Sequence, residues 1–344
     1  MSESIYSSRS AWNGAVEAAG GHLLQSWEWG EFKSLHGWGV DRVAVQGSSG
    51  VAAAQILFKR RGPVSLAYIP RGPVLTDSIY PRDQFIELRR LIDSSCRRNR
   101  TLSLVIEQNE PLPLCGTFRE VGFVRGPEHL QPARTVKVPI DLCDEALMAQ
   151  MHQKNRYSVR LAGKRGVTVE QADATEDAID AFYALLTETA ARNQFGVHDR
   201  SYYADFMRVF GDRALMLFAK VEGKIAAALM AARFGREAAY MYGASSTVHR
   251  ADGAAFVLQY DAMRWARDAG SSTYDLWGIP KPAQLAPREE GATGATASMG
   301  EDMRGLLNFK TRFGGEIVDY PPMMERRYVP ILSWLAGRYA FGQS

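Results

Sequence analysis

The sequence predicts an α+β (mixed α/β) fold built from two tandem copies of one unit, and three observations predict it. A strand–turn–strand text occurs twice, the elements after each copy follow in the same order, and helices precede both copies. The first text is DRVAVQGSSGVAAAQILF at 41–58 and the second is DRALMLFAKVEGKIAAALM at 212–230. Both open on Asp-Arg, run through an apolar strand, turn on Gly, and resume with a β-branched residue and three alanines (Val51 to Ala54; Ile225 to Ala228). Self-similarity of this kind is the mark of a duplicated structural unit.

The remaining elements are read in chain order. Ser26 is an N-cap candidate for a helix over 27–36, and Thr175 for one over 176–191, because a hydroxyl there accepts from an otherwise orphaned helical N–H. Third strands are expected at 64–69 and 238–243. Helices follow at 81–98, with Phe85, Leu88, Leu91 and Ile92 on one stripe, and at 254–269, with Ala255, Leu258, Ala262, Trp265, Ala266 and Ala269 on another. Strands are expected at 101–107 and 273–277. Short segments then end at Gly122-Phe123 and Phe313-Gly314, and final strands fall at 135–140 and 316–320. Helices, a β-meander, a helix, a strand, a helix and a strand make up the element order of the GNAT acyltransferase fold. Tandem duplicated GNAT-like domains are therefore expected at 1–145 and 146–316, joined across the polar stretch 141–155, with 317–344 packing back on the first.

Composition narrows the class. Of 344 residues 46% are hydrophobic and 23% charged, enough for a sizeable core. The 41 Lys+Arg against 38 Asp+Glu leave a net charge of +3, too mild to demand a nucleic-acid partner by itself. Three cysteines without CxxC spacing argue against a disulfide framework or zinc site and suit a reducing cytosol. The six histidines are scattered, so neither a metal nor a cofactor is expected. MSESIYSSRSAW lacks the pattern of an export signal, and no run approaches the ~18 apolar residues of a membrane span. A cytoplasmic monomer is expected.

Six segments in order carry a more specific likeness. They are Gln25-Ser26-Trp27-Glu28-Trp29 with Lys33; Tyr68 to Pro73 (YIPRGP); Lys154 to Val169; Tyr242 to Ser246 (YGASS); Tyr274 to Ile279 (YDLWGI); and Phe309 to Gly315 (FKTRFGG). Together they resemble the FemABX family of peptidoglycan peptidyltransferases. The stretch 176–213 is too short for the coiled-coil arm that some members carry, so the chain resembles the compact ones. The resemblance implies transfer of an amino acid from aminoacyl-tRNA to the stem-peptide amine of a peptidoglycan precursor, either UDP-MurNAc-pentapeptide or lipid II, in interpeptide bridge formation. The lipid-linked acceptor would bring peripheral contact with the inner face of the membrane.

The residues are then weighed against that chemistry. Attack of an amine on an ester builds negative charge on the carbonyl oxygen, and stabilising it is the largest single demand. Lys310 is the main candidate, set beside Phe309 and Phe313; the resemblance implicates this lysine in handling aminoacyl-tRNA. Lys33 borders the Trp29–Phe32 stripe, and Arg200 opens a second-half helix; the resemblance assigns both to the precursor's diphosphate, with surface ion pairs as the plain alternative. Glu107 ends a strand where a general base is reasonable, although Asp is more familiar there in the family. Tyr203, Tyr240 and Tyr242 are candidates to line the precursor site or to fill the core. The basic run Lys154, Arg156, Arg160, Lys164 and Arg165 suits phosphate or a solvated helix face equally, and 281–300 is read as a lid-like loop.

Two rival readings stand. Arg250 to Ala255 fits the [RQ]xxGx[GA] loop with which GNAT enzymes hold acyl-CoA pyrophosphate at a helix N-terminus. An acyl-CoA-dependent N-acyltransferase acting on a cell-surface glycan or amine is the first. A non-catalytic precursor-binding module is the second.

Overall fold

The computed structural model describes residues 8–47, 50–76, 81–109, 115–126, 129–249, 252–282 and 295–329. The chain divides into two compact units, 1–131 with 320–344, and 132–319.

Unit 1 begins with α1 (Arg9–Ala18) and α2 (Trp27–Leu35). Ser26 caps α2, its hydroxyl accepting from the Trp29 amide at 3.1 Å, as the sequence predicts. The meander β1 (Gly39–Gly47), β2 (Gly50–Arg61) and β3 (Val64–Ile69) is antiparallel. A crossover helix, α3 (Pro81–Arg98), leads to β5 (Thr101–Ile106), which runs parallel to β3. The short β4 (Val74–Leu75) pairs with β2; α4 (Cys115–Glu120) and β6 (Val124–Arg125) follow β5. The even positions of β2, Ala52, Ala54, Ile56 and Phe58, pack with Phe85, Leu88 and Ile92 of α3 into one buried cluster. That is the period-2 face of a strand meeting the apolar stripe of a helix.

Unit 2 repeats the plan. Its helices α7 (Glu176–Asn193), capped by Thr175, and α8 (Arg200–Phe210) precede β9 (Ala214–Val221), β10 (Lys224–Phe234) and β11 (Glu237–Ser245). The crossover α9 (Ala254–Asp268) leads to β12 (Thr273–Asp275), parallel to β11. Then come α10 (Ala295–Thr311) and β13 (Glu316–Asp319). Each unit is therefore a meander, a crossover helix and a parallel strand, and the tandem GNAT-like expectation matches this architecture.

The ends of the repeats depart from the sequence reading. The strand expected to close the first unit, β7 (Arg134–Pro139), lies in the second sheet, between β12 and β13, in the order β13-β7-β12-β11-β10-β9-β8; the edge strand there is β8 (Thr168–Gln171). The place beside β5 is taken by β14 (Met324–Arg327), from the tail. Val136 and Val138 of β7 are fully buried in the unit 2 core, and the Thr135 hydroxyl donates to Asp275 of β12. The boundary expected near 145 thus moves to 131/132. The polar stretch 141–155 is no linker either: it folds as α5 (Asp144–Ala149) and the start of α6 (Gln153–Lys164), because Leu147 and Met151 reach the same core. Residues 295–300 of the predicted loop are helical, and its centre, 283–294, lies outside the described residues.

Candidate functional site

The alanine run that identified the repeat has a consequence in unit 2. Small side chains at Ala226, Ala227 and Ala228 of β10 leave volume against α9 and α10, and a cavity of about 690 Å³ opens there. This lies in the range of small-ligand sites. Tyr240, Gly243, Phe256 and Phe309 also line it.

Tyr240 and Tyr242 are two apart, which in a regular strand would put them on one face. A β-bulge intervenes: Met230 pairs with Tyr242 but Ala231 with Tyr240, leaving Met241 as the extra residue. Tyr242 therefore packs edge-on against Tyr203 (5.1 Å between centroids) and Phe206 (5.3 Å) of α8. Tyr240 instead joins the cluster of α9 and Phe309 and turns its hydroxyl over Gly243, where a β-carbon would collide with it.

Lys310 lies behind this wall. Phe309 and Phe313 stack edge-on at 5.3 Å, as their spacing predicts. Lys310 is only 5% exposed. Its Nζ donates to the Gly278 carbonyl at 2.8 Å and approaches the Trp277 carbonyl at 3.4 Å, with the Tyr240 ring centroid 5.4 Å away. Those carbonyls are held in place by Asp275. Its carboxylate accepts from the Trp277 amide at 2.7 Å, and Trp277 takes φ +60°, a left-handed conformation that bulky residues seldom adopt. Backbone outliers of this kind concentrate at functional sites. Burial lowers the ammonium's pKa to about 8, with Asp275 opposing the drop.

In unit 1 Glu107 is fully buried just past β5. Its carboxylate accepts from the Leu130 amide at 2.7 Å, the Gln131 amide at 3.2 Å and the Tyr68 hydroxyl, and His129 Nδ1 lies 3.3 Å away. The group is spent on anchoring 129–131. Burial first, and Glu107 second, push the Tyr68 hydroxyl well above its usual range. The family-like text around it is equally structural: Gln25 Nε2 donates to the Pro70 carbonyl at 2.6 Å, Gln25 Oε1 accepts from the Gln55 amide at 2.8 Å, and buried Arg71 stacks 3.3 Å from the Tyr320 ring centroid.

Lys33 is different. Its Nζ lies 5.7, 6.0 and 5.5 Å from the ring centroids of Trp29, Phe32 and Trp38, and Lys59 Nζ approaches Trp38 at 5.2 Å. Burial, and then the like charge of Lys59, lower Lys33 to about 8. Sequence reasoning missed Lys59; the signal available was its place at the end of the first repeat's second strand.

The FemAB family profile matches residues 11–110, 125–225 and 222–325, most of the chain. The chain belongs to the FemAB family. Among curated proteins it is similar to the lipid II:glycine glycyltransferase of Staphylococcus aureus, 29% identical over 346 residues, 75% of this chain and 80% of that one. Among solved structures it is similar to FemX, with TM-score 0.82 and 22% identity over 96% of this chain and 98% of that one. A tandem GNAT protein from the clavulanic acid pathway superposes with TM-score 0.53 at 13% identity, covering 91% of this chain and 92% of its own. These last two show the shared fold.

Within this FemAB-family chain the other expected site residues are placed as follows. Arg200 opens α8 and its guanidinium is engaged by Asp180 and Glu176 of α7, the surface ion pair that the sequence left open. Tyr203 is buried, and its hydroxyl accepts from the His198 amide at 3.2 Å. It belongs with Tyr202 and Tyr242 to an aromatic layer, where burial pushes Tyr202 up to about 12. The basic run splits. Arg156 turns inward onto the Ala149 and Met151 carbonyls, and Arg165 pairs with Asp252. Lys154, Arg160 and Lys164 stay exposed along α6, with Tyr157 65% exposed among them.

Of the Arg250–Ala255 loop, Arg250 and Ala251 lie outside the described residues. Its remainder is covered: Gly253 takes φ +79° at the α9 N-cap, and a β-carbon there would meet the Ser158 carbonyl of α6. With Asp252 tied to Arg165, the helix end already faces a protein partner.

Proposed function

We propose that this FemAB-family chain transfers an amino acid from aminoacyl-tRNA to the side-chain amine of a peptidoglycan precursor's stem peptide, forming or extending an interpeptide bridge. The observation that carries the reading is Lys310, a buried ammonium fixed by two carbonyls beside a cavity of about 690 Å³, in a chain similar along 75% of its length to a lipid II:glycine glycyltransferase.

In this reading the aminoacyl end of the donor enters the cavity against Tyr240 and Phe309. The neutral acceptor amine attacks the ester carbonyl, the C–N bond forms, and the carbonyl electrons move onto oxygen. The Lys310 ammonium, already desolvated and therefore needing little reorganisation, stabilises that oxyanion. The intermediate collapses by breaking the C–O bond to the ribose, whose hydroxyl leaves with the proton that the amine gives up. Lys33 and Arg200 serve the precursor's diphosphate, as the family resemblance implies. Arg200 must exchange Asp180 and Glu176 for it, at some expense in affinity. The exposed Lys154, Arg160 and Lys164 suit the donor RNA's phosphates, where each neutralised phosphate adds a salt-dependent increment.

Separate incubations decide it: charged tRNA with UDP-MurNAc-pentapeptide, charged tRNA with lipid II, and acetyl-CoA with an amine acceptor. The expected result is transfer that depends on tRNA. Thioester-dependent acylation without tRNA-dependent transfer would overturn the reading, and the covered α9 N-terminus argues against it. Precursor binding with no transfer from any donor would leave a binding module.

A further inference from the structure

Two basic runs far apart in sequence meet at one end of unit 1. Lys59-Arg60-Arg61 finishes β2, and Arg97, Arg98 and Arg100 finish α3 and its following turn. The start of β3 is fastened to that helix end: the Ser65 amide donates to the Arg100 carbonyl at 3.2 Å, and the Ser65 hydroxyl to the Asn99 carbonyl at 2.8 Å. Strand alternation distributes the charges. Arg60 continues the α3 side of β2, after Ile56 and Phe58, while Lys59 and Arg61 continue the other. Arg60, Arg61, Arg97, Arg98 and Arg100 are all exposed. Asp41 pairs with Arg98 at 2.9 Å; among the described residues no carboxylate is paired with the other four.

We propose that this end of unit 1 docks on an anionic phospholipid bilayer. The inference rests on the function proposed above in one respect, that Lys33 receives the diphosphate of a lipid-linked acceptor. Such a diphosphate is joined directly to its hydrocarbon anchor and so lies at headgroup depth. Whatever protein surface surrounds it must face headgroups. Lys33 and Lys59 share the Trp38 ring, and Lys59 is followed in β2 by Arg60 and Arg61, at the strand end where the arginines gather. Guanidinium groups suit that role because their fork matches phosphate oxygens, and basic clusters are drawn to anionic leaflets over about a Debye length. Unit 2 offers the RNA-like alternative on α6, where a tyrosine 65% exposed lies among the charges; the exposed members of the unit 1 cluster named above are five arginines.

The test uses the full chain and a combined variant, Arg60→Gln, Arg61→Gln, Arg97→Gln and Arg100→Asn, whose side chains are exposed; asparagine tolerates the left-handed φ of +52° at position 100. Sedimentation is measured with pure phosphatidylcholine vesicles and with mixed phosphatidylcholine–phosphatidylglycerol vesicles. The native chain should bind only the mixed vesicles. The variant should bind them at least about a hundredfold more weakly, since each basic side chain near an anionic surface contributes about fivefold. It should keep its circular dichroism and its transfer to UDP-MurNAc-pentapeptide, while transfer to lipid II embedded in mixed vesicles falls. Equal binding of both vesicle types, undiminished binding by the variant, or a loss of charged-tRNA affinity in place of vesicle affinity would each overturn the proposal. Vesicle binding requires no transfer, so a chain that sediments as expected but transfers nothing supports the docking surface and sinks only the enzymatic reading.

Discussion

Lys33 in unit 1 and Lys310 in unit 2 are both lowered to about 8, and their surroundings give that number two meanings. Lys310 is enclosed by protein that already solvates its charge, through two carbonyls and, more distantly, Asp275. Lys33 sits among three aromatic rings with another lysine nearby. A cation held by fixed dipoles is suited to acting on charge that develops during a reaction. A cation beside a like charge gains most from an arriving anion. In the proposed function Lys310 is therefore assigned to the chemistry and Lys33 to binding.

The largest expected effect follows from the fixed cation. Lys310→Met should lower the transfer rate by at least about a hundredfold, the scale of losing one oxyanion-stabilising donor, while thermal melting and precursor affinity stay near native. A rate within a few-fold of native in a folded variant would reduce Lys310 to a packing residue. The complementary change, Lys33→Ala, should leave the rate at saturation nearly intact and weaken precursor binding, since a charged hydrogen bond is worth roughly 1.5–3 kcal/mol. Arg200→Ala should cost less than Lys33→Ala, because Arg200 surrenders two carboxylates on binding. Calorimetric titration with UDP-MurNAc-pentapeptide ranks the two, and equal affinity across all three proteins would remove both residues from the site.

The buried carboxylates at the strand ends make the same contrast. Glu107 and Asp275 each hold the backbone that follows, but only Asp275 has a buried ammonium nearby. Glu107→Gln should destabilise the fold by about 1–3 kcal/mol, the usual cost of a mismatched buried hydrogen-bonding group, because an amide NH₂ would then face N–H and O–H donors. Urea unfolding measures this. Transfer per folded molecule should stay within a few-fold; a hundredfold loss at unchanged stability would make Glu107 the general base after all.

Much of this was legible in the sequence because it is local. The alanine runs, the caps at Ser26 and Thr175, and the Phe309–Phe313 spacing each announce themselves within a few residues. What escaped is non-local or a matter of one residue's conformation. Periodicity marks Arg134–Pro139 as a strand without saying which sheet receives it; that is decided by Thr135 meeting Asp275, 140 positions away. The bulge at Met241, which parts Tyr240 from Tyr242, leaves no mark in the hydrophobic pattern. Nor does the left-handed Trp277 that aims a carbonyl toward Lys310. The polar look of 141–155 hid two buried apolar side chains, Leu147 and Met151, and Arg156 resembled its exposed neighbours until its guanidinium was seen on the Ala149 carbonyl.

The smallest expected effect is a pair of opposed pH slopes at Lys33. In the folded, unliganded chain this group titrates near 8, below the ordinary 10.5. Between those values the unfolded chain holds more protons than the folded one, so this group makes folding more favourable as pH rises through that window. Diphosphate binding has the opposite sign. The anion favours the ammonium and raises its pKa, so binding takes up a proton above about 8. Precursor affinity should therefore fall with rising pH there, by at most about tenfold per unit, and level off below 8, where Lys33 is charged with or without ligand. Lys33→Arg keeps a cation that does not titrate in this range and should flatten both slopes. Lys310→Arg should leave the affinity slope as it is. Affinity that is flat from pH 7 to 10 in the native chain, or a slope that survives Lys33→Arg, would mean that the diphosphate does not rest on this lysine.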